Sequence, residues 1–289
     1  MGFLFLSPWI VGFVLLKLVP ILGALGFSFT NFHMTTPQAT SFIGVANYLH
    51  FLTDLRAWSS LARSLGYFAI TVPLELFLAL GLAALFSSER LRGKGVLRTL
   101  FFMPSIIPAA AILSIVRGLL DPRSGWLTLL ILAPLGLPPL GRGGGGLSFL
   151  SIMLSMWSIG PGFLIMYAAM QNVPSEIIES ARVDGAGPLN RFVNITLPII
   201  SPAVFFSLVI NLTSAFGGSV LLDRGYLYSQ SLSPMEGYIN STMFSGFDLG
   251  YASALAWVMF IVTMAITIVL FRSAQRWVYF PDESAHESL

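Results

Sequence analysis

Six stretches of the chain, residues 3–29, 64–87, 99–120, 147–170, 197–216 and 249–271, are each apolar over a span-like length. A helix needs roughly 20 such residues to cross a bilayer. Nothing else limits the fold as tightly, because a helix satisfies every backbone polar group within itself when no water is at hand. The expected architecture is therefore all-α. It is a polytopic membrane protein of about six transmembrane helices, with residues 1–289 forming one transmembrane domain. Charge agrees: only 10% of residues are charged, against about 25% in an ordinary soluble domain. The start does not read as a cleavable signal peptide, since no basic segment precedes Phe3 and the apolar run continues to Phe29. A retained first span is expected.

Composition removes several chemistries. The chain has no cysteine, which excludes disulfides, Cys-ligated zinc, iron–sulfur clusters and thiol catalysis. His33, His50 and His286 are far apart, so no metal site and no cofactor is expected. A net charge of +2 gives no reason to expect nucleic acid as a partner. No acid–base pair, nucleophile or metal constellation suggests an enzyme.

Lysine and arginine orient the spans. One set of connections holds Arg90, Arg92, Lys94, Arg98, Arg182, Arg191, Arg272 and Arg276; the opposite set holds Arg56, Arg63, Arg123, Arg142 and Arg224. The larger set, with its tight group at 90–98, belongs in the cytoplasm. Both termini then lie inside, and residues 30–63, 121–146 and 217–248 lie outside. Residues 44–63 read as a short surface helix with Leu49, Leu52, Leu55 and Trp58 facing the membrane. The glycine- and proline-rich run 134–146 reads as a tip without helix.

The inner connection at 171–196 is the most informative. It carries Glu176, Glu179, Arg182, Asp184 and Arg191 between two apolar runs. Ser175 can cap a short helix with Glu176 in its first turn, and Gly185 is placed to end it. Asp184 then suits the cap of a second helix opened by Pro188. Leu189, Phe192 and Ile195 give that helix an apolar stripe. Acids and bases nearly balance, so the expected role is docking a protein. No GxxxxGK[ST] pattern occurs, the nearest fragment being Gly93-Lys94-Gly95. Energy from ATP would have to come from another chain.

Polar residues inside spans are costly and therefore candidates for a transport path. Asn211, Thr213 and Ser214 lie in the fifth span before Gly217-Gly218; Ser155, Trp157 and Ser158 lie in the fourth, before Gly160-Pro161. Packing between helices is the alternative role for each. Lys17 and Glu75 stand mid-way along the first and second spans, and an ion pair neutralising both is expected.

The run Glu179-Ser180-Ala181-Arg182-Val183-Asp184-Gly185-Ala186, continuing to Phe192, Ile195, Leu197 and Pro198, resembles the EAA loop of ABC-importer permeases. Ser180, where that family has alanine, is the one departure, and both are small. Phe101-Phe102-Met103-Pro104 with Ile107-Pro108, and Phe247-Asp248-Leu249-Gly250-Tyr251-Ala252-Ser253-Ala254, are similar to segments of the carbohydrate-type branch, as is Ser7-Pro8-Trp9 with Pro20. The resemblance covers about residues 3–280 and is nearest the first permease of a maltose- or oligosaccharide-type pair. It implies a prokaryotic inner-membrane subunit that forms a sugar pathway with a second permease. It also implies two copies of a cytoplasmic ATP-binding subunit, an extracytoplasmic sugar-binding protein, and lipid around the spans. Coupling to the ATPase would fall to Glu179, Ala181, Asp184, Gly185 and Ala186. The sugar, a di- or oligosaccharide, would meet Trp157, Asn211, Ser214, Ser155 and Gly218. The alternatives are a permease for glycerol phosphate, an amino acid or a polyamine and, from another class, a secondary transporter.

Overall fold

A computed structural model describes residues 2–88, 91, 93–97, 99, 119, 125–136, 160–217 and 234–279. Helix dominates these residues, and the only extended pairings among them are the isolated bridges Thr30↔Phe42 and His33↔Asp248. Phe5–Ser28, Leu55–Ser87 and Leu249–Ala274 are long and apolar enough to cross a membrane. The bent pair Pro188–Ile199 and Ser201–Thr213 qualifies as a fourth if read as one span. The all-α, polytopic expectation holds. The third expected span, 99–120, lies outside the described residues except at 99 and 119; of the fourth, only 160–170 is described.

Proline shapes these helices in a regular way. Apart from Ser241–Ser245, which no proline closely follows, the described five-residue π-helical turns occupy Val14–Leu18, Thr128–Leu132 and Phe192–Thr196. Each is centred four residues before a proline: Leu16 before Pro20, Leu130 before Pro134, Asn194 before Pro198. Proline has no N–H for the carbonyl four residues back, and its ring crowds that carbonyl. The turn widens, and the residue just before the proline reaches back five positions instead. The bonds are Val19 N–H to Val14 O, Ala133 N–H to Thr128 O and Leu197 N–H to Phe192 O.

The chain divides into two compact units, Met1–Gly66 with Tyr228–Met264 and Tyr67–Leu227 with Ala265–Leu289. In the first, residues 44–63 do not form one helix. Ala46–Thr53 stops at Asp54, and Leu55 opens the helix that runs on to Ser87. The cause is the Asp54 carboxylate. Its Oδ1 accepts the N–H groups of Arg56 (2.9 Å) and Ala57 (3.2 Å), which makes Asp54 an N-cap that restarts the helix. Leu49, Leu52, Leu55 and Trp58 are all exposed, as expected of a membrane-facing stripe, but they lie on two helices.

The other oxygen of Asp54 ties distant segments together. Oδ2 accepts hydrogen bonds from the hydroxyls of Tyr238 (2.6 Å) and Tyr251 (2.7 Å). Partial burial pushes the Asp54 pKa up, but the bonds from Tyr238, Tyr251, Ala57 and Arg56 outweigh it and hold the group below its ordinary 3.8. Burial, then the bond to Asp54 and its charge, push Tyr238 up to about 12. Nearby, the Asn47 amide donates to Ser28 O and Thr30 O, both at 2.9 Å. Gly250 N–H donates to Phe32 O at 3.0 Å, and Met34 N–H to Phe247 O at 2.8 Å. Asp248 caps the last helix through Tyr251 N–H at 2.9 Å.

The second unit has a core of Ala79, Ala83, Phe86, Phe163, Met166 and Tyr167, extended by Met170, Val173, Ile200 and Val204. Phe86 meets Phe163 edge-on at 5.0 Å, and Phe163 stacks on Tyr167 at 5.8 Å. Ile178 and Phe192 from the polar connection, with Leu197 and Ile199 just after it, pack against this core. They hold the connection to the helices that flank it.

Candidate functional site

The polar connection is ordered by a short set of local hydrogen bonds. Its helix runs Ser175–Val183, with Pro174 at the N-cap position and Asp184 at the C-cap. Ser175 is thus the first helical residue and not the cap. Gly185 adopts φ +80°, where a β-carbon is penalised. That turn lets Gly185 N–H reach Arg182 O (3.1 Å) and Ala186 N–H reach Ala181 O (2.9 Å). The two bonds together are a Schellman closure, which satisfies carbonyls the helix would leave open. Ala181, Asp184, Gly185 and Ala186 therefore act as one turn.

Asp184 does not cap the second helix. The Schellman turn uses residues 184–186, so the next helix starts only at Pro188, with Gly187 as its extended N-cap (φ −66°, ψ 162°). Pro188–Arg191 then continues through the π-turn at 192–196 to Leu197–Ile199. The wide turn breaks up the expected apolar stripe. Phe192 packs on the core, whereas Leu189 is 75% exposed. The segment Pro188–Ile199 meets the helix Ser201–Thr213 at a bend of 69°.

The inward side of the helix Ser175–Val183 is small or apolar. Ile178 packs on the core and Ala181 and Ala186 are half-buried. Glu176, Glu179, Arg182, Asp184 and Gly185 are exposed. So is Val183, at 87%, and Ile177 is exposed elsewhere on the same short helix. An apolar side chain thus stands outward among the charges of this loop. Sequence reasoning passed over Val183. The signal was there: a β-branched residue between Arg182 and Asp184, two residues before the helix-ending glycine. One guanidinium nitrogen of Arg191, Nη1, is buried without a hydrogen-bonding partner among the described residues.

The expected solute-binding residues are only partly visible. Asn211 is half-buried on the helix Ser201–Gly217. Thr213 donates its hydroxyl to its own helix, at Val209 O and Ile210 O, which leaves its oxygen only as an acceptor for a solute. Ser207, one turn before Asn211, has a buried hydroxyl without a partner among the described residues; the sequence analysis missed it because serine in a span is common. Ser155, Trp157 and Gly218 lie outside the described residues, as does the side chain of Ser214. Lys17 is exposed in the π-turn of the first span, and Glu75 is half-buried in the helix Leu55–Ser87. They belong to different units. Among the described residues no group of three or more His, Asp or Glu could hold a metal ion.

Comparison with known proteins gives a consistent result. Residues 75–279 match the family model described as "Binding-protein-dependent transport system inner membrane component". The probable ABC transporter permease protein YesP of Bacillus subtilis (strain 168) is 34% identical over 292 residues, covering 98% of this chain and 93% of that protein. The sn-glycerol-3-phosphate transport system permease protein UgpA of Yersinia pestis is 31% identical, covering 84% and 83%. The arabinooligosaccharides transport system permease protein AraP of Bacillus subtilis (strain 168) is 27% identical, covering 92% and 86%. Among solved structures, a chain of a bacterial ABC transporter that imports the acidic polysaccharide alginate superposes with a TM-score of 0.77. It is 20% identical, over 95% of this chain and 94% of that one, and establishes likeness of fold.

Proposed function

Because the chain belongs to the family of inner membrane components of binding-protein-dependent transport systems, we propose that it is a permease subunit of an ATP-driven sugar importer. The carrying observation is the closed, exposed knob at 175–189, with Val183 and Leu189 offered outward. In this reading the knob docks into a separate ATP-hydrolysing subunit, present in two copies. A second permease completes the pathway, and an extracytoplasmic binding protein delivers a di- or oligosaccharide. The chain itself performs no catalysis. The knob faces the cytoplasm, as do both termini, following the excess of lysine and arginine on that side. Sugar is preferred because AraP handles arabinooligosaccharides by name and the spans carry aromatic and amide groups without a basic cluster for phosphate. UgpA, named for sn-glycerol-3-phosphate, makes that solute the competitor to include.

Two measurements test the reading. Val183→Asp is expected to reduce co-purification of the ATP-binding subunit by tenfold or more, about the 1.4 kcal/mol that burying a charge in an apolar contact costs at the least. Uptake of labelled oligosaccharide falls with it, while the amount of permease in the membrane stays unchanged. Undiminished capture of that subunit together with normal uptake would sink the docking role. Asn211→Ala is expected to lower uptake about tenfold through one lost hydrogen bond to a solute hydroxyl, on the order of 1.4 kcal/mol, with the complex still assembling. Uptake competed by sn-glycerol-3-phosphate and not by oligosaccharides would replace the solute while leaving the importer.

A further inference from the structure

Two cavities share a wall near the end of the last described helix. One, of about 510 Å³, is lined by Pro202, Phe205, Phe206, Phe271, Ala274 and Val278, with Gln275 at its edge. The other, of about 290 Å³, is lined by Thr267, Ile268, Phe271, Arg272 and Gln275. Phe271 and Gln275 belong to both. The result is a groove that is aromatic on one side and passes along Phe271 to a guanidinium and a carboxamide on the other.

Its floor is fixed. Phe205 stands edge-on to Phe271 (4.9 Å) and to Trp277 (5.9 Å). Tyr279 N–H donates to Ser201 Oγ at 2.8 Å, tying the chain after the last helix to the start of Ser201–Gly217. Its lips are open: Phe206 is 55% and Phe271 53% exposed. Trp277 and Tyr279 are exposed beside them, the residue types that favour the headgroup level of a bilayer. Arg272 has no acidic partner among the described residues, and Arg276 follows one turn later.

We propose that this groove is a binding site for an anionic glycerophospholipid. An acyl chain lies along Phe205, Phe206 and Phe271, and the phosphate is held by Arg272 with Gln275 at hydrogen-bonding reach. Charge complementarity selects this occupant. A neutral acyl surface would satisfy the phenylalanines but leave a guanidinium at the membrane boundary without a counter-charge, and an anionic headgroup supplies one. The place gives the site a consequence. Ser201 and Pro202 follow directly on the 69° bend at which the docking segment joins the next helix. A lipid seated there braces the joint between knob and span.

The inference rests on the permease reading only for the bilayer around the last helix. Its test uses no ATP and no solute, so its failure leaves the uptake experiments untouched. The assembled importer is placed in nanodiscs of phosphatidylethanolamine and phosphatidylglycerol. It is photolabelled with phosphatidylglycerol or phosphatidylcholine carrying the same diazirine acyl chain. Expected is a preference of about fivefold for phosphatidylglycerol in peptides spanning 202–206 and 271–278, the scale of one basic residue at a membrane surface. Arg272→Gln brings the two lipids to parity, and Arg272→Lys keeps most of the preference. Equal labelling of both lipids by the unsubstituted protein overturns the proposal. So does a benzophenone amino acid in place of Phe206 that captures another protein chain, a second permease included, instead of lipid.

Discussion

Gly250→Ala is expected to prevent accumulation of folded protein. A β-carbon at Gly250 would lie 2.3 Å from Thr30 O and 3.1 Å from Phe32 N. Both are backbone atoms, so no side chain can swing aside. Relief requires the segment at 30–34 to move off the last helix. That movement breaks Gly250 N–H to Phe32 O and Met34 N–H to Phe247 O, and it pulls Thr30 O from the Asn47 amide. Overpacking alone costs about 1–3 kcal/mol, and each buried hydrogen bond adds about 1 kcal/mol. The sum, on the order of 4 kcal/mol, is a large part of what holds a domain folded. The measurement is monodisperse yield in detergent and the midpoint of thermal unfolding. Gly81→Ala is the control, because nothing lies within 4 Å of a β-carbon there. If both variants melt together with the unsubstituted protein, the close approach at Gly250 is wrong.

Asp54→Ala should cost nearly as much. It removes the cap of a 33-residue helix, worth about 1 kcal/mol. It also leaves the hydroxyls of Tyr238 and Tyr251 without their acceptor, at about 1–3 kcal/mol for each hydrogen bond to a charged group. A drop in melting temperature on the order of 10 °C follows. Asp54→Asn, which can still cap, should lose roughly half as much. The pH profile separates charge from shape. The Asp54 pKa is depressed in the folded state, so its contribution is present above 3.8 and fades as pH falls below that value. Tyr238 is raised to about 12, so its contribution is complete below 10 and is lost as pH climbs through about 12. Stability should hold a plateau between these limits. In Asp54→Asn the acid-side fall should shrink. An unchanged acid limb in that variant would remove Asp54 from the network.

Local features were legible in the chain itself. The glycine that ends the helix Ser175–Val183 could be read because its hydrogen bonds close within five residues. The π-turns at 14–18, 128–132 and 192–196 were equally available, since each of these three follows from a proline four positions on, although they were not read. The split at Asp54 was missed. In sequence, Asp54 is one acid in an amphipathic stretch, and nothing near it signals two tyrosines. The helix start at Ser175 and the idle Asp184 were misjudged for a related reason: capping residues compete, and a Schellman turn had already taken Asp184.

The sequence by itself determined membrane residence, the helical class and the position of the polar knob at 175–189, because apolar run length and turn chemistry act over a few residues. The tertiary structure alone decided what Asp54 holds, what Gly250 must avoid and which side of the helix Ser175–Val183 faces outward. Those outcomes depend on groups far apart in the chain, 197 positions for Asp54 and Tyr251, and no local pattern in a chain specifies which distant hydroxyl will meet a carboxylate.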